Sequence, residues 1–396
     1  MSLELIGKYN TAKVFTDNID QETISQIILL CNQEFTKESK IRIMPDCHAG
    51  SGCVIGTTMT ITDKIVPNLV GVDIGCGMMA FKIKEHDIDL EKLDRVINEK
   101  VPSGFNIRER AITNCLYLKD LIAPYDREYI LRSCGTLGGG NHFIELDKDN
   151  NGDYWLVVHS GSRKLGVSVC DYYQRAGYKK IKDDYQTTKI DATIAKLKAE
   201  GKQRDIENTI KILKMQAPDI PKDLAYVEGE LMRNYIHDME IAQKYAFDNR
   251  FYICQVILNE MGWTSYNYCD TKHNYIDIDN MILRKGSISA QMGEMCIIPM
   301  NMRDGTLLCR GKGNPEWNYS APHGAGRIMS RSQAIASLNV DEFKQSMNGI
   351  YSTSVMESTL DEAPMVYKPT DEIIANIKDT VEIVDILKPV YNFKAH

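Results

Sequence analysis

The sequence predicts an α+β fold, a β-rich body carrying a helical insertion, and three observations predict it. Short apolar and β-branched runs bracket clusters of glycine, as strands joined by tight turns do. Residues 179–215 are charged, poor in glycine apart from Gly201, and helical in period. Residues 224–261 repeat apolar side chains at Ile236, Met239, Ala242, Tyr245 and Ala246, close to a period of 3.6. No internal repeat or low-complexity linker divides the chain. Residues 1–396 are therefore expected to form one domain, with 179–261 a mainly helical insertion within it.

Taken in order, residues 65–72 and 78–83 read as strands on either side of Asp73-Ile74-Gly75-Cys76-Gly77. Residues 142–146 and 154–158 read as two more, joined by the polar turn Asp149-Asn150-Asn151-Gly152-Asp153. A helical hairpin over 179–215 and a long helix over 224–261 follow. Residues 328–338 read as a short helix behind a glycine loop.

The chain has 396 residues, 43% hydrophobic and 26% charged, which excludes disordered, collagen-like and low-complexity classes. The net charge of −7 repels phosphate overall, so a nucleic-acid partner needs a local basic groove or bound cations. Eleven cysteines, odd in number and without a CxxC pair, do not describe a secreted disulfide scaffold. They are expected to be free thiols of a cytoplasmic protein. The N-terminal residues lack the pattern of a secretory signal, and no apolar stretch is long enough to span a membrane.

Nineteen of the 27 glycines fall in five islands, and five of the eight histidines (His48, His142, His159, His273 and His323) lie in or beside them. Glycine permits tight backbone paths and close approach to a ligand. Asp73-x-x-Cys76, flanked by Gly71, Gly75 and Gly77, offers a carboxylate and a thiolate to a divalent cation such as Mn²⁺ or Zn²⁺. Its bland reading is a turn aspartate with a buried cysteine. His142 and His159 sit at strand edges beside Gly138-Gly139-Gly140 and Ser160-Gly161-Ser162-Arg163, whose donors suit phosphate oxygens. Each histidine alone fits a core or turn role. Together with His273 and Cys76 they amount to a metal ligand set.

His323-Gly324-Ala325-Gly326-Arg327 precedes the helix expected over 328–338 and so is expected at a helix N-terminus, where anions bind. Arg327 is placed to pair with a phosphate, and a neutral imidazole at the head of such a loop is a competent nucleophile. Glu109, Glu145 and Lys394 read alone as solvated charges. Walker A, HExxH, dinucleotide-fold and serine-hydrolase motifs are absent from the sequence.

The ordered set resembles the RtcB family of RNA-splicing and RNA-repair ligases. It comprises Met44-Pro45-Asp46-x-His48, Gly71-Val72-Asp73-Ile74-Gly75-Cys76-Gly77, Gly138-Gly139-Gly140-Asn141-His142-Phe143 and His159-Ser160-Gly161-Ser162-Arg163, then His273-Asn274-Tyr275, His323-Gly324-Ala325-Gly326-Arg327 and Asp361-Glu362-Ala363-Pro364. The resemblance implies a Mn²⁺- and GTP-dependent ligase joining an RNA 2′,3′-cyclic phosphate or 3′-phosphate end to a 5′-hydroxyl end. It implies Asp73, Cys76, His142, His159 and His273 as ligands of two manganese ions, and His323 as the nucleophile that takes up GMP. The guanylate-binding positions it implies are Asn141, His142, Phe143, Ile144, Glu145, His273, Asn274, Pro299, Met300, Asn301, Met302, Thr306, His323, Gly324, Ala325, Gly326, Tyr367 and Lys394.

Two departures stand out. Pro299-Met300-Asn301-Met302 replaces the family's Pro-Gly-Ser-Met, and Lys164 replaces a glycine after the HSGSR stretch. Cys47, beside Asp46 and His48, is a further candidate ligand. Two other functions fit the residues: a manganese phosphodiesterase that only opens cyclic phosphates, and a non-ligating sensor of RNA ends or nucleotides. A monomer is expected; RNA repair or tRNA splicing is the expected setting.

Overall fold

The computed structural model describes residues 2–395. The fold is α+β, as the sequence predicts, and is organised by two sheets. A six-stranded sheet runs in the order Leu3–Ile6, Thr11–Val14, Ile41–His48, Ile55–Thr60, Ile282–Lys285, Asn274–Asp277. A seven-stranded sheet runs Ser265–Lys272, Gly77–Ile83, Tyr154–Ser160, Phe143–Lys148, Val381–Lys394, Gly305–Gly311, Met295–Asn301. The second sheet curls until its edges meet, where the Ile297 amide donates to the Thr271 hydroxyl at 3.2 Å. Met78, Phe143, Trp155, Val157 and Leu387 fill the inside of the curl.

The long helix Gly229–Met261 joins two larger cores. Tyr235, Met239, Ala242 and Tyr245 pack in the core beneath the six-stranded sheet. Ile253, Cys254, Ile257 and Leu258 pack against the curled sheet. The spacing of three and four residues keeps both groups on one stripe. Gly262 ends the helix at φ 74°, a left-handed value that glycine adopts without strain.

The helical hairpin is present but begins earlier than the charge pattern indicates. Its first helix is Arg163–Ala199, 37 residues long, whose buried positions end at Gly177. Beyond that point it is joined to the short helix Ile206–Leu213 through Gln186, which donates to the carbonyls of Lys214 and Gln216.

Three other element boundaries differ from expectation. Residues 65–72 do not form one strand: only Lys64–Ile65 pairs, and Pro67 then opens the one-turn helix Pro67–Val70. Proline supplies a preset φ and has no amide hydrogen to give to a ladder. The long helix starts at Gly229, because Lys222–Leu224 is a tight turn and Val227–Glu228 pairs with Lys64–Ile65. The helix expected over 328–338 is only Arg331–Ser337, held by a reciprocal cap between Ser330 and Gln333.

Candidate metal and nucleotide site

Register gathers the site. In the curled sheet Lys272 lies opposite Gly77, Gly77 opposite Ser160, and Phe143 opposite His159. His273, Cys76, His159 and His142 therefore stand at the same end of four neighbouring strands. Asp73 joins them from the loop before Gly77, a loop fixed by the Gly75 amide donating to the Asn274 carbonyl at 2.7 Å.

The Cys76 sulfur is 3.4 Å from Nε2 of both His142 and His159. An Asp73 oxygen is 3.0 Å from His142 Nε2. Nδ1 of His142 points to the Leu137 carbonyl at 2.8 Å, and Nδ1 of His159 to the Asn141 carbonyl at 3.2 Å. With Nδ1–H of His159 donated to a carbonyl, its Nε2 lone pair is left facing the cluster, the arrangement a metal-binding histidine needs. Nε2 of His142 instead shares a hydrogen with Asp73, which a bound cation would displace. Donor atoms of Cys76, His159 and His273, and of Asp73, Cys76 and His142, lie within 4.8 Å of one another. One thiolate, imidazoles and a carboxylate fit a divalent transition ion.

Electrostatics divide the ligands. Burial and the neighbouring Asp73 push the Cys76 thiol well above its ordinary range, so a bound cation is what would make it a thiolate. His159, His273 and Asp73 are already in ligating form. Burial pushes His159 and His273 well below the ordinary imidazole range, so both are neutral and can ligate. Burial works against ionisation of Asp73, but the hydrogen bond and charge of His142, with Arg163, hold its carboxyl at about 2. Cys47 is no part of this cluster: it packs in the first core.

Beside the cluster opens a cleft of about 870 Å³. Among the expected nucleotide residues, Asn141, Phe143, Glu145, Pro299, Met300, Asn301, Met302, His323, Gly324, Ala325, Gly326, Tyr367 and Lys394 line it, with His159 at its metal end. His142 and His273 lie in the metal cluster. Three further expected residues line neither the cleft nor the cluster. Ile144 alternates away from Phe143 and Glu145 and packs in the core. Asn274 holds the metal loop, its amide donating to the Asp73 carbonyl at 3.2 Å. Thr306 is buried in the strand beside Pro299.

His323 is held from the other sheet. Asp46, fully buried in Ile41–His48, places one carboxylate oxygen 2.7 Å from His323 Nδ1, and that oxygen also accepts the amides of His323 and Gly324. The His323 ring lies 4.9 Å, centroid to centroid, from His273. Asp46 belongs to the Met44-Pro45-Asp46 motif, but no local signal in the sequence assigns it to a histidine 277 positions away.

Several side chains expected to bind phosphate serve the protein instead. The His323 loop does not lie at a helix N-terminus, since the following helix starts only at Arg331. The Ser162 amide and hydroxyl reach Asp73 at 2.9 and 3.3 Å, and Ser160 donates to the Leu137 carbonyl. Arg327 lies 3.3 Å from Glu362, beside the Tyr367 ring. Glu362 is a hub whose role the sequence does not indicate: it also accepts from Lys394 at 2.7 Å and Tyr367 at 2.7 Å, and pairs with the Arg331 guanidinium at 2.9 Å. Lys164 neither crowds the cluster nor reaches it; its ammonium lies over the Tyr129 ring. Asn301 is occupied in a turn, accepting the amides of Arg303 and Asp304.

Two helix residues lock the metal loops. Asn249 accepts from the Gly135 and Thr136 amides and donates to Ser160 and Gly161. Arg250 donates to the Gly75 and Ser160 carbonyls at 2.8 and 3.0 Å, with Asp270 as its counter-ion.

Fold and site together define a protein with a buried thiol–imidazole–carboxylate cluster opening onto a nucleotide-sized cleft. A family model described as tRNA-splicing ligase RtcB matches residues 34–123 and 120–395. The chain belongs to the RtcB family. It is 29% identical to the RNA-splicing ligase RtcB of Escherichia coli K12 over 98% of this chain and 99% of that one. It is 24% identical to the tRNA-splicing ligase RtcB of Aeropyrum pernix, covering 94% and 91%. A second E. coli protein, RNA-splicing ligase RtcB2 of strain ATCC 25922, is 24% identical over 89% and 86%. Among the described residues no helix is long and apolar enough to cross a membrane.

Proposed function

We propose that this chain seals RNA, joining a 2′,3′-cyclic phosphate or 3′-phosphate end to a 5′-hydroxyl end at the expense of GTP. The observation that carries the proposal is the Asp46–His323 pair at the floor of the cleft, 2.7 Å between Oδ2 and Nδ1, set against the Asp73/Cys76/histidine cluster. With Nδ1 held by the carboxylate, Nε2 of His323 is the nucleophilic atom. It attacks the α-phosphorus of GTP; an N–P bond forms, the bond to the β-phosphate oxygen breaks, and pyrophosphate leaves. An oxygen of the RNA 3′-phosphate then displaces His323 from that phosphorus, giving an RNA-3′-pp-guanosine end. The 5′-hydroxyl attacks the RNA phosphate and GMP departs.

Asp73, Cys76, His142, His159 and His273 would hold two manganese ions. Bound there, these ions would neutralise phosphate charge and acidify a hydroxyl for opening the cyclic phosphate. The remaining work falls to the chain's own side chains. Lys394 and Glu145 stand on the same face of the curled sheet, a cation and an acceptor for the guanine edge. Tyr367 covers the same cleft, held by Glu362.

The test is GTP labelled at the α-phosphate, with Mn²⁺, followed by ligation of RNA with each type of 3′ end. Acid-labile label on parental protein and none on His323→Ala is expected, with sealing of the two phosphate ends and not of a 3′-hydroxyl end. Opening of the cyclic phosphate without label would identify a phosphodiesterase instead. Binding without turnover would identify a sensor.

A further inference from the structure

Phe105 is 99% exposed, the most exposed large apolar side chain of the described residues. It is not on a free-swinging tip. The Gly104 amide donates to the Gly138 carbonyl at 2.8 Å, and the Gly104 carbonyl accepts from the Arg163 guanidinium at 3.2 Å. Gly138 belongs to the loop that delivers Asn141 and His142, and a Cβ at Gly139 would stand 3.7 Å from the Gly104 Cα. The loop that carries this exposed ring is thus tied, as an outer lip, to the segment that delivers Asn141 and His142.

Arg163 itself is held in the left-handed region at φ 54°, a costly conformation for a side chain of its size. Its guanidinium lies flat against Gly138, where a Cβ would come within 1.9 Å. Arg108, tied to the Gly135 carbonyl at 2.7 Å, and the exposed Arg110 add two cations over residues 104–110, where Glu109 is the single acid. In a chain of net charge −7 this lip combines fixed cations with a bare aromatic face. Cations that follow a backbone and aromatic rings that take up bases are the two elements of single-strand binding.

We propose that Phe105 is the stacking platform for an unpaired base of the RNA strand entering the metal cluster, with Arg163 and Arg108 taking the flanking phosphates. This inference rests on the RNA-sealing reading of the same site. Stacking accepts any base, so the platform orders the strand without selecting its sequence.

The experiment uses the full chain carrying Phe105→Ala or Phe105→Trp and a short single-stranded RNA with a 3′-phosphate. Phe105→Ala is expected to raise the RNA Kd about tenfold, with GMP labelling of His323 in the absence of RNA retained. Phe105→Trp is expected to restore affinity, and the fluorescence of the added tryptophan to be quenched by RNA. An abasic nucleotide at the stacked position should remove that quench. Parental affinity in Phe105→Ala, or a tryptophan signal that RNA does not move, overturns the proposal. So does unchanged RNA binding with loss of a protein partner, which would make the ring a protein contact. Absence of GMP labelling in the parental chain would sink the sealing reading alone, because the RNA quench decides the platform independently.

Discussion

A single oxygen of Asp46 accepts three hydrogens from two consecutive residues, Nδ1–H and N–H of His323 and N–H of Gly324, at 2.7, 3.0 and 3.1 Å. The His323 ring and its backbone are thereby oriented by one buried carboxylate from the six-stranded sheet. Removing it leaves the ring free to rotate and to exchange tautomers. Asp46→Ala is expected to cut GMP labelling of His323 by about 10²–10⁴-fold. Asp46→Asn, which keeps an acceptor without the charge, should fall between. Labelling measured at saturating GTP separates this from weaker nucleotide binding.

Gly326 offers a second handle on the same pair. Its φ is +73°, and an added Cβ would lie 2.2 Å from the Asp46 carbonyl oxygen. Backbone cannot yield as a side-chain tip does. Gly326→Ala is expected to displace the Asp46 strand from the His323 loop and to lower the unfolding midpoint in urea together with labelling.

Gly161→Ala should behave in the opposite way. Its Cβ would come within 2.3 Å of the Asp73 carboxylate, the movable end of a side chain. The carboxylate is expected to swing out of the cluster with little loss of stability. Elemental analysis after dialysis against Mn²⁺ should show reduced metal in Gly161→Ala and in Cys76→Ser. Equal metal content in all three proteins would remove these residues from the proposed centre.

Much of this cluster was legible in the sequence, because chemistry restricts residue type. Asp73, Cys76 and the histidines announce themselves as rare residues among glycines, and no core requires that coincidence. The positioning residues were not legible. Asp46, Asn249 and Arg250 act across separations that only strand register and helix docking create. Ser160 and Ser162 look like phosphate donors because nothing local shows that Asp73 and Leu137 will be their partners. Two boundary errors did carry local signals. Pro67 sits inside the apolar run 65–72, and Ser330-x-x-Gln333 is a capping box that fixes a helix start. Apolar periodicity outweighed both in reading the sequence, and the backbone obeyed the proline and the cap.

Asn249 saturates four polar groups of the metal loops from within the protein. Orphaned buried donors cost about 1–3 kcal/mol each. Asn249→Leu is expected to lose about 3 kcal/mol of unfolding free energy, read from urea denaturation, and to bind less Mn²⁺. Asn249→Asp, which keeps the acceptor for Gly135 and Thr136, should recover part of the stability.

Glu362 provides the pH dependence. Burial opposes its charge, but Lys394, Arg331 and the Tyr367 hydroxyl together hold its carboxyl below the ordinary range. A depressed carboxyl stabilises the fold above its unfolded pKa and loses that contribution as pH falls through the folded value. At neutral pH Glu362→Gln should therefore be less stable than the parent by about 2–3 kcal/mol, below the figure for a fully buried pair because Arg331 is half-exposed. The difference should shrink as pH drops below the ordinary glutamate range. A gap that stays constant into acid would mean that packing, not charge, is lost.

The helix Arg163–Ala199 begins at the metal cluster and has no buried residue past Gly177. At 1.5 Å per residue its remaining 22 or so positions run roughly 33 Å, held by polar contacts such as Lys180–Glu228 and Gln186–Lys214. With no buried apolar contact past Gly177, that arm is expected to open and reclose without disturbing either sheet. Amide exchange should be fast over its outer half while the loops around Cys76 stay protected. A cut there is expected to leave the cluster and its cleft whole, whereas one at the first turn, beside Arg163, would open them.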